Sequence, residues 1–412
     1  MIAEQWTEEH TQAVRAQLPT LDPPNLVHLN NAGCSIPSRS TLGAVQSYLE
    51  REATRGGYET FFAAEAELRR PYTALAALLG CHEDELAILS SATAAWQQVV
   101  YGLAWTWRPG DRVLTSVAEY GSNMIALLQL AKRTGVLIEV IPETEEGDID
   151  LAALRGMLQP GGAAGRPPVL VSISHVPTSS GRVYDAAGVG ALCRAAGVLF
   201  MLDACQSVGQ MPLDVRAIDC DFLSATGRKY LRGPRGSGLL FCRRDALGLF
   251  EPGTVDNTGG IWTGAGEYAL QPTAKRFEQY ESSFAAKVGL GVAAEECVQL
   301  GIGRIWACIQ QLAAALRAGL TALPGVTVHD RGALLCGLVS FSISGLTASE
   351  VQVALEQQHI NVSVSRIGST RFDFERRGLA EVLRASVHCY NTEEEMERFL
   401  AAVGELSKSV QH

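Results

Sequence analysis

The stretch Ser224-Ala225-Thr226-Gly227-Arg228-Lys229-Tyr230, followed by a glycine-rich run to Gly238, is the most informative part of the chain. Of the 34 Lys and Arg residues only five are lysines, and Lys229 is one of them. A lysine amine that attacks a carbonyl forms a Schiff base, and an enzyme that uses pyridoxal 5'-phosphate (PLP) needs one such lysine. The neighbouring hydroxyl and guanidinium groups suit a phosphate. A surface lysine before a loop is the alternative, and other segments have to decide between the two.

Length and composition describe an ordinary globular protein. The chain has 412 residues, which is ample for two domains. Hydrophobic residues make up 47%, charged residues 19%, and the net charge is -10. The acidic balance without a basic cluster argues against nucleic acid as a partner, and no apolar run is long enough for a membrane span. Ten scattered cysteines without a paired framework, and a start that lacks a signal-peptide pattern, predict reduced thiols and a cytoplasmic location.

Short apolar runs alternate with helical patterns from residue 85 to residue 242. This alternation predicts an α/β protein with a mostly parallel sheet covered on both faces. In such sheets ligands bind beyond the carboxyl ends of the strands. The predicted strands are Glu85–Leu89, Arg112–Val117, Leu137–Ile141, Val169–Ser174, Val198–Asp203 and Gly238–Cys242, and the predicted helices between them are Ser122–Thr134, Leu151–Leu158 and Ala186–Ala196.

The composition of the sequence changes after Phe250. Glu251 to Tyr268 is rich in Gly, Thr and Pro, which predicts a long functional loop. A second, α+β region follows, and we predict a large domain at 21–272 and a small domain built from 1–20 and 273–412. Its predicted elements are helices at Ala307–Ala322 and Ala348–Gln358, a strand at Gly337–Ser344, a last helix that opens with a capping box at Thr392 to Glu395, and an N-terminal helix at Thr7–Gln17. The Gly/Ala/Pro-rich stretch Gln159–Pro168 is predicted to be a loop.

Polar residues at the predicted strand ends supply the other groups that a PLP site needs. Asp203 ends a buried run and suits the protonated pyridine nitrogen, although an Asp that caps the following helix has the same pattern. Tyr120 could lie flat on the ring or be a boundary tyrosine in a turn. Thr178 could donate to the phenolic oxygen of the cofactor. Gln206 could bond that oxygen or the phosphate, or be a solvated amide in a loop. His175, beside them, is interpreted as a hydrogen-bonded core histidine.

Two further segments would bind anions. Ser91-Ala92-Thr93 opens a predicted helix, and free N–H groups at a helix start bind phosphate, although an ordinary helix cap has the same pattern. Arg384 lies in an alternating strand pattern, where an inward arginine is costly unless it is paired. A substrate α-carboxylate would satisfy it, and so would a salt bridge to Glu381.

Taken together, these motifs resemble the class V aminotransferase family of fold-type I PLP enzymes. The resemblance runs from Leu29 to Thr392 and is strongest at Asp203-Ala204-Cys205-Gln206, at Thr226 to Lys229 and at Arg384 to Thr392. It implies a seven-stranded mixed sheet in the large domain, PLP as cofactor, a small amino-acid substrate and a homodimer whose active sites are completed across the interface. The segments Glu251 to Tyr268 and Arg55 to Tyr58 are candidates for the loop that reaches the partner subunit.

The resemblance assigns a role to each candidate residue. Lys229 is the catalytic residue. The cofactor-binding set is Ala92, Thr93, Tyr120, Thr178, Asp203, Gln206, Thr226, Arg228 and Lys229, with Thr258 and Gly259, beside Gly260, reaching the phosphate of the neighbouring subunit. The substrate-binding set is Arg384, Asn31, Gly33, Tyr58, Arg366 and His388, and Arg371 is a further candidate for an acidic group on the substrate. No metal site is expected.

Within the family, the motifs look most like the C–S lyases of ergothioneine biosynthesis. That likeness predicts β-elimination from an S-substituted cysteine or its sulfoxide, giving pyruvate and ammonia, with an aminotransferase or an isopenicillin N epimerase-like enzyme as the alternative. Cysteine desulfurases also resemble the chain, but they carry a mobile cysteine in the segment that corresponds to Ile360 to Phe374, where this sequence has none. A desulfurase is therefore the less favoured expectation.

Overall fold

The protein is described by a computed structural model that covers residues 6–161 and 165–410. The strands are β1 (Val27–His28), β2 (Leu86–Leu89), β3 (Arg112–Ser116), β4 (Leu137–Ile141), β5 (Leu170–Ser174), β6 (Phe200–Asp203), β7 (Phe222–Thr226), β8 (Gly238–Cys242), β9 (Gly260–Gly264), β10 (Glu267–Leu270), β11 (Val326–Val328), β12 (Leu338–Ile343), β13 (Ile360–Asn361), β14 (Ser363–Arg366) and β15 (Glu381–Ser386). The helices are α1 (Glu8–Ala16), α2 (Arg39–Arg55), α3 (Gly57–Ala63), α4 (Glu65–Leu79), α5 (Ala92–Leu103), α6 (Gly121–Thr134), α7 (Leu151–Met157), α8 (Ala186–Ala196), α9 (Val215–Ile218), α10 (Phe284–Leu300), α11 (Ile302–Thr321), α12 (Ala348–Glu356), α13 (Arg371–Arg377) and α14 (Glu393–Ser409).

A seven-stranded sheet forms the centre of the molecule, in the order β2-β8-β7-β6-β5-β3-β4. Only β8 runs against the other strands, and the sheet is therefore mostly parallel, as predicted. Every residue of β2, β3, β5, β6, β7 and β8 is buried, because helices cover both faces. The edge strand β4 is partly exposed, unlike β2 at the opposite edge of the sheet.

The parallel strands bring distant parts of the sequence to one edge of this sheet. The register pairs Ser174 at the end of β5 with Asp203 at the end of β6, and Asp203 in turn with Ser224 of β7. The segments that leave these strands carry Thr178, Gln206 and Lys229. The fold therefore assembles at one sheet edge the residues that the sequence analysis selected from separate motifs.

A four-stranded antiparallel sheet, β11-β12-β15-β14, forms the core of the second region, together with α11, α12 and α14. The segment near the N-terminus lies against this region, because β1 pairs with β13 and Asn30 bridges to Ser386. The helix α10 packs on α2 and α4. Both contacts cross the predicted boundary at residue 272, and the division into two domains stays a prediction.

Most predicted elements lie where the sequence placed them, but one strand was missed and one predicted loop was wrong. The six predicted strands and three predicted helices of the first region are present within two residues of their expected ends. The strand β7 was missed, although it leads directly to Lys229. The predicted loop from Glu251 to Tyr268 instead contains β9 and the start of β10, which pair as an antiparallel hairpin.

The predictions for the second region are largely confirmed. Its helices and its strand are present as α1, α11, α12, α14 and β12, and the capping box at the start of α14 is formed by Thr392 and Glu395. The predicted loop at Gln159–Pro168 lies partly outside the described residues.

A buried arginine fixes the loop that follows β5. Arg182 is fully buried, pairs with Glu143 and lies 2.8 Å from an Asp373 oxygen at the start of α13. Removing one partner of a buried ion pair leaves the other charges uncompensated. We expect Arg182→Met to lower the free energy of unfolding by about 3–5 kcal/mol in urea denaturation. The control Arg194→Met removes the two ion pairs of a half-exposed arginine and should cost at most about 1 kcal/mol. Equal losses in the two variants would contradict this prediction.

Candidate active site

A cavity of about 340 Å³ opens at the carboxyl ends of the central strands. It is lined by Ser90, Ser91, Ala92, Thr93, Tyr120, Ser174, Val176, Thr178, Asp203, Cys205, Gln206, Thr226, Arg228, Lys229, Arg235 and Gly236. Nine of the residues predicted from sequence to bind the cofactor therefore line the same cavity. They come from five separate segments of the chain.

Lys229 lies just after β7 and is buried in the wall of this cavity. Burial lowers the pKa of its amine, and the positive charges of Arg228 and Arg384 lower it further, against the opposing effects of Cys205 and Asp203. In the described residues no carboxylate lies within ion-pair distance of the amine. A desolvated amine that loses its proton readily is suited to be a nucleophile and a base.

Asp203 is the last residue of β6, and both oxygens of its carboxylate accept hydrogen bonds. One oxygen accepts from the backbone N–H of Cys205 at 3.0 Å, and the other accepts from the side-chain amide of Asn123 at 2.9 Å. The residues after it form turns, so Asp203 does not cap an α-helix. This carboxylate lies in the same cavity as Lys229 and is placed to pair with a cation there.

The start of α5 forms one end of the cavity. The Ser91 hydroxyl accepts from the N–H of Ala94 at 3.1 Å and so caps the helix, as the alternative interpretation of this motif held. Ala92 and Thr93 also line the cavity, and Thr226, Arg235 and Gly236 lie on the same wall. A helix start with hydroxyl and guanidinium groups around it suits a phosphate.

Arg384 lies beside the cavity on β15 and is buried, and no carboxylate of the described residues pairs with it. Its guanidinium donates to the carbonyl oxygen of Thr178 at 2.7 Å and to the Thr178 hydroxyl at 2.9 Å, and more weakly to Asn30. Its Nε has no partner among the described residues. Burial lowers the pKa of Arg384 to about 10, and the positive charge of Arg228 lowers it further, against the opposing effects of Tyr230 and Tyr120.

The salt bridge between Arg384 and Glu381 that the sequence left open is absent from the described residues. Glu381 instead accepts from the N–H of Ala348 and lies 3.9 Å from Arg366. A buried arginine without a counter-ion points to an anionic ligand.

The residues of the cavity fit PLP. Gln206 donates to the Ala32 carbonyl at 3.1 Å. Within the described ranges, neither its own buried Oε1 nor Arg384 Nε has a hydrogen-bond partner. Unsatisfied buried polar atoms are costly and mark places where a ligand group belongs. The lysine, the carboxylate of Asp203 and the helix start of α5 are the three kinds of group that the cofactor requires.

Other predicted substrate-binding residues lie elsewhere. The Asn31 side chain donates to the Ser386 carbonyl at 2.7 Å and accepts from Tyr390, and so fastens the N-terminal segment to β15. The carbonyl of Gly33 accepts from Arg228, which lines the cavity, and its N–H donates to the Asn30 carbonyl.

His388 is stacked between Tyr230 and Tyr390, and burial lowers its pKa to about 3. It contributes to packing and does not line the cavity. His175 is a buried core histidine, as interpreted from the sequence, and its ring bonds Ser207 at 2.9 Å.

Three candidates lie on the surface. Tyr58 is 61% exposed on α3, Arg366 contacts Ser349 on the surface, and Arg371 pairs with Glu375 one helical turn away. None of them lines the cavity. Thr258 and Gly259 also lie away from this cavity, at the start of the β9–β10 hairpin, and their predicted contact with a neighbouring subunit stays a prediction.

Several cavity residues were missed from the sequence. Arg235 and Cys205 line the cavity and lie in motifs that the sequence analysis selected. They were passed over because Lys229 and Asp203 in the same motifs were stronger candidates. Ser174 is the last residue of a buried strand, a position that itself signals a sheet-edge site.

The family model described as aminotransferase class-V matches residues 27–399 of the chain. The protein belongs to the class V aminotransferase family. This membership confirms the predicted fold class and the predicted cofactor, PLP.

Individual relatives cover almost the whole chain. A probable cysteine desulfurase of Pyrococcus abyssi is 27% identical over 96% of this chain and 98% of its own length. The apo structure of a cysteine desulfurase from Thermococcus onnurineus superposes with a TM-score of 0.88 at 25% identity, covering 97% of this chain and 98% of its own. The cystine C–S lyase C-DES, in complex with its product cysteine persulfide, gives a TM-score of 0.81 at 26% identity over 92% of this chain and 98% of its own.

These relatives correct the expected reaction. The sequence analysis favoured an ergothioneine-pathway C–S lyase and placed cysteine desulfurases behind it because residues 360–374 lack a cysteine. The relatives of P. abyssi and T. onnurineus are named as cysteine desulfurases, so that ranking was wrong.

Proposed function

We propose that the protein is a PLP-dependent enzyme that removes sulfur from L-cysteine and leaves alanine. The observation that carries the proposal is the buried guanidinium of Arg384, which has an unsatisfied Nε and no carboxylate partner in the described part of the chain. A guanidinium in this state suits the α-carboxylate of an amino acid. The relatives named as cysteine desulfurases supply the identity of that amino acid.

The residues of the chain divide the work as follows. Arg384 holds the carboxylate of the substrate, so that Cα lies near Lys229. The Lys229 amine, whose pKa is lowered by burial, takes the α-proton and later returns a proton. Asp203 keeps a negative charge against the pyridine nitrogen. When bound, PLP supplies the electron sink that makes the α-proton acidic.

The sulfur needs an acceptor, and we propose that a free thiol from solution fills this role. The attacking thiolate forms an S–S bond with the substrate sulfur, the Cβ–S bond breaks, and its electron pair is protonated at Cβ. The products are alanine and a persulfide, and a second thiol converts the persulfide into sulfide and a disulfide. Residues 360–374 contain no cysteine, and the segment is held close to the site by a hydrogen bond between Thr370 and Ser179.

Cys205 lines the cavity, but its environment does not suit a sulfur acceptor. Burial raises the pKa of this thiol far above its usual range, and the charge of Asp203 raises it further. A thiol, unlike a thiolate, is a poor nucleophile. We expect Cys205→Ala to keep the rate of sulfide release within about threefold of the wild type, measured with L-cysteine and dithiothreitol. Loss of sulfide release in a variant that still binds PLP would instead identify Cys205 as the acceptor.

The test of the reaction is the identity of its products. Purified protein loaded with PLP is given L-cysteine, with and without dithiothreitol, and alanine, sulfide and pyruvate are quantified. We expect alanine and sulfide in equal amounts, with a rate that rises with the thiol concentration. Pyruvate in place of alanine, or neither product, would contradict the proposal.

We also propose that the protein is a homodimer. Large apolar side chains stand exposed on two neighbouring features, namely Ile261, Trp262 and Tyr268 on the β9–β10 hairpin, and Tyr58 and Phe62 on α3. Exposed apolar groups at this density mark an interaction surface. A cytoplasmic location, which rests on ten unpaired cysteines, stays a prediction. No described helix has the length and apolar character that crossing a membrane would require.

A further inference from the structure

A second buried carboxylate stands behind Asp203. Glu119 follows β3 and is 2% exposed. Its Oε1 accepts from the Ser174 hydroxyl at 2.7 Å and from the side-chain amide of Asn123 at 3.0 Å. Its Oε2 accepts from the Thr115 hydroxyl at 3.0 Å. Glu119 does not line the cavity, and none of the roles assigned above requires it.

Glu119 is connected to two groups that face the cofactor. The same Nδ2 of Asn123 that donates to Glu119 also donates to Asp203 Oδ2 at 2.9 Å, so one amide bridges the two carboxylates. On its other side, Glu119 Oε1 accepts from the backbone N–H of Tyr120 at 2.8 Å. One carboxylate therefore fixes both Asp203 and the residue that is predicted to lie on the ring.

The charge around Glu119 makes its proton sensitive to the contents of the cavity. Its neutral partners are Thr115 on β3, Asn123 on α6 and Ser174 on β5, and the charged group that faces it in the described residues is Asp203. Burial raises the pKa of Glu119 to about 7, with the negative charge of Asp203 as the second cause. A cation that pairs with Asp203 would cancel part of this second effect and favour ionised Glu119.

We propose that Glu119 is a positioning residue of the cofactor site, which orients Asp203 through Asn123 and releases its proton when the pyridinium ring pairs with Asp203. The proposal rests on the presence of PLP in this cavity. The ionised form then places a second negative charge behind the pyridinium. Proton release on binding means that the affinity for PLP rises as the pH increases through the range in which free Glu119 titrates.

The experiment compares the pH dependence of PLP binding in the wild type and in Glu119→Gln. The apparent Kd is measured between pH 6 and pH 8 from the visible absorption of bound PLP. Glutamine keeps the acceptor for Ser174, Asn123 and Tyr120 but carries no charge. We expect wild type and variant to bind alike near pH 6, where Glu119 is largely protonated, and the wild type to bind about tenfold more tightly near pH 8. The titrations of Lys229 and of the phosphate are common to both proteins and cancel in the ratio.

Two further variants guard the interpretation. Glu139 lies on β4, is partly exposed and pairs with Arg112 on β3. The variant Glu139→Gln should therefore show the same pH dependence as the wild type. Asn123→Ala removes a donor that lowers the pKa of Glu119, and it should move the pH dependence to higher pH. Melting temperatures of the apo proteins are measured as well, to check that each variant is folded.

The outcomes are distinct. A constant ratio of wild-type and Glu119→Gln affinities across the pH range would overturn the proposal, even if the variant binds more weakly throughout. If Glu119→Gln does not fold, an Asn123→Ala profile that coincides with the wild type would overturn it. Failure of the wild type to bind PLP at all would contradict the proposed function instead.

Discussion

Replacing Lys229 with alanine is expected to lower the rate of sulfide release from L-cysteine by at least about three orders of magnitude. Lys229 is the cavity's only lysine within the described residues, and its desolvated amine has a lowered pKa. The variant loses both the covalent attachment point and the base for the α-proton. We expect PLP to bind without the visible band of the lysine-linked form, measured alongside sulfide release at saturating cysteine.

Lys132→Ala is the matched control for this variant. Lys132 is exposed in the last turn of α6, so its removal should leave sulfide release and the visible band unchanged. Appreciable turnover by Lys229→Ala would mean that another group removes the α-proton, and the assignment of Lys229 as the catalytic residue would be wrong.

Replacing Arg384 with lysine is expected to lower kcat/KM for L-cysteine by about two to three orders of magnitude, chiefly through KM. Lysine keeps the positive charge but loses the planar fork that can grip Thr178 and a carboxylate together. The measurement is steady-state kinetics over a range of cysteine concentrations. Binding of PLP should stay close to that of the wild type, because the proposed partner of Arg384 is the carboxylate of the substrate and not the cofactor.

Arg366→Lys is the control, since Arg366 was also predicted to bind the substrate but lies exposed on β14, away from the cavity. It should leave kcat/KM unchanged. The stability of the apo protein adds a second readout. An unpaired buried cation opposes folding, so Arg384→Met should be at least as stable as the wild type in urea. A large loss of stability in Arg384→Met would mean that the arginine serves the fold rather than the substrate.

The sequence predicts the sheet well because its strands are continuous apolar runs between helices. The one strand of this sheet that was missed, β7, has a polar second half, Ser224 to Thr226, that reads as part of the lysine motif. Its central position buries these residues, and the strand forms through its neighbours β6 and β8. The β9–β10 hairpin was missed for a related reason, since glycines interrupt its alternation.

The candidate site also combines residues that local sequence predicts with residues whose contacts depend on the whole fold. Residues at the ends of strands or just after them, such as Asp203 and Thr178, were predictable because parallel strands bring their carboxyl ends together. Asn31 and His388 were predicted to be candidates for the substrate pocket. Their partners, Ser386 and Tyr230, lie far away in the chain, and only the fold reveals that these polar groups are already satisfied.

The central claim is that PLP is held by Lys229 in the cavity at the sheet edge. Reduction of the PLP-loaded protein with borohydride fixes the cofactor to the lysine that holds it, and mass spectrometry of the proteolytic peptides identifies that residue. The account predicts the modification on the peptide that contains Lys229 and its absence from those with Lys132, Lys275, Lys287 or Lys408. A modification confined to any of these other four lysines, or no modification of the loaded protein, would contradict it.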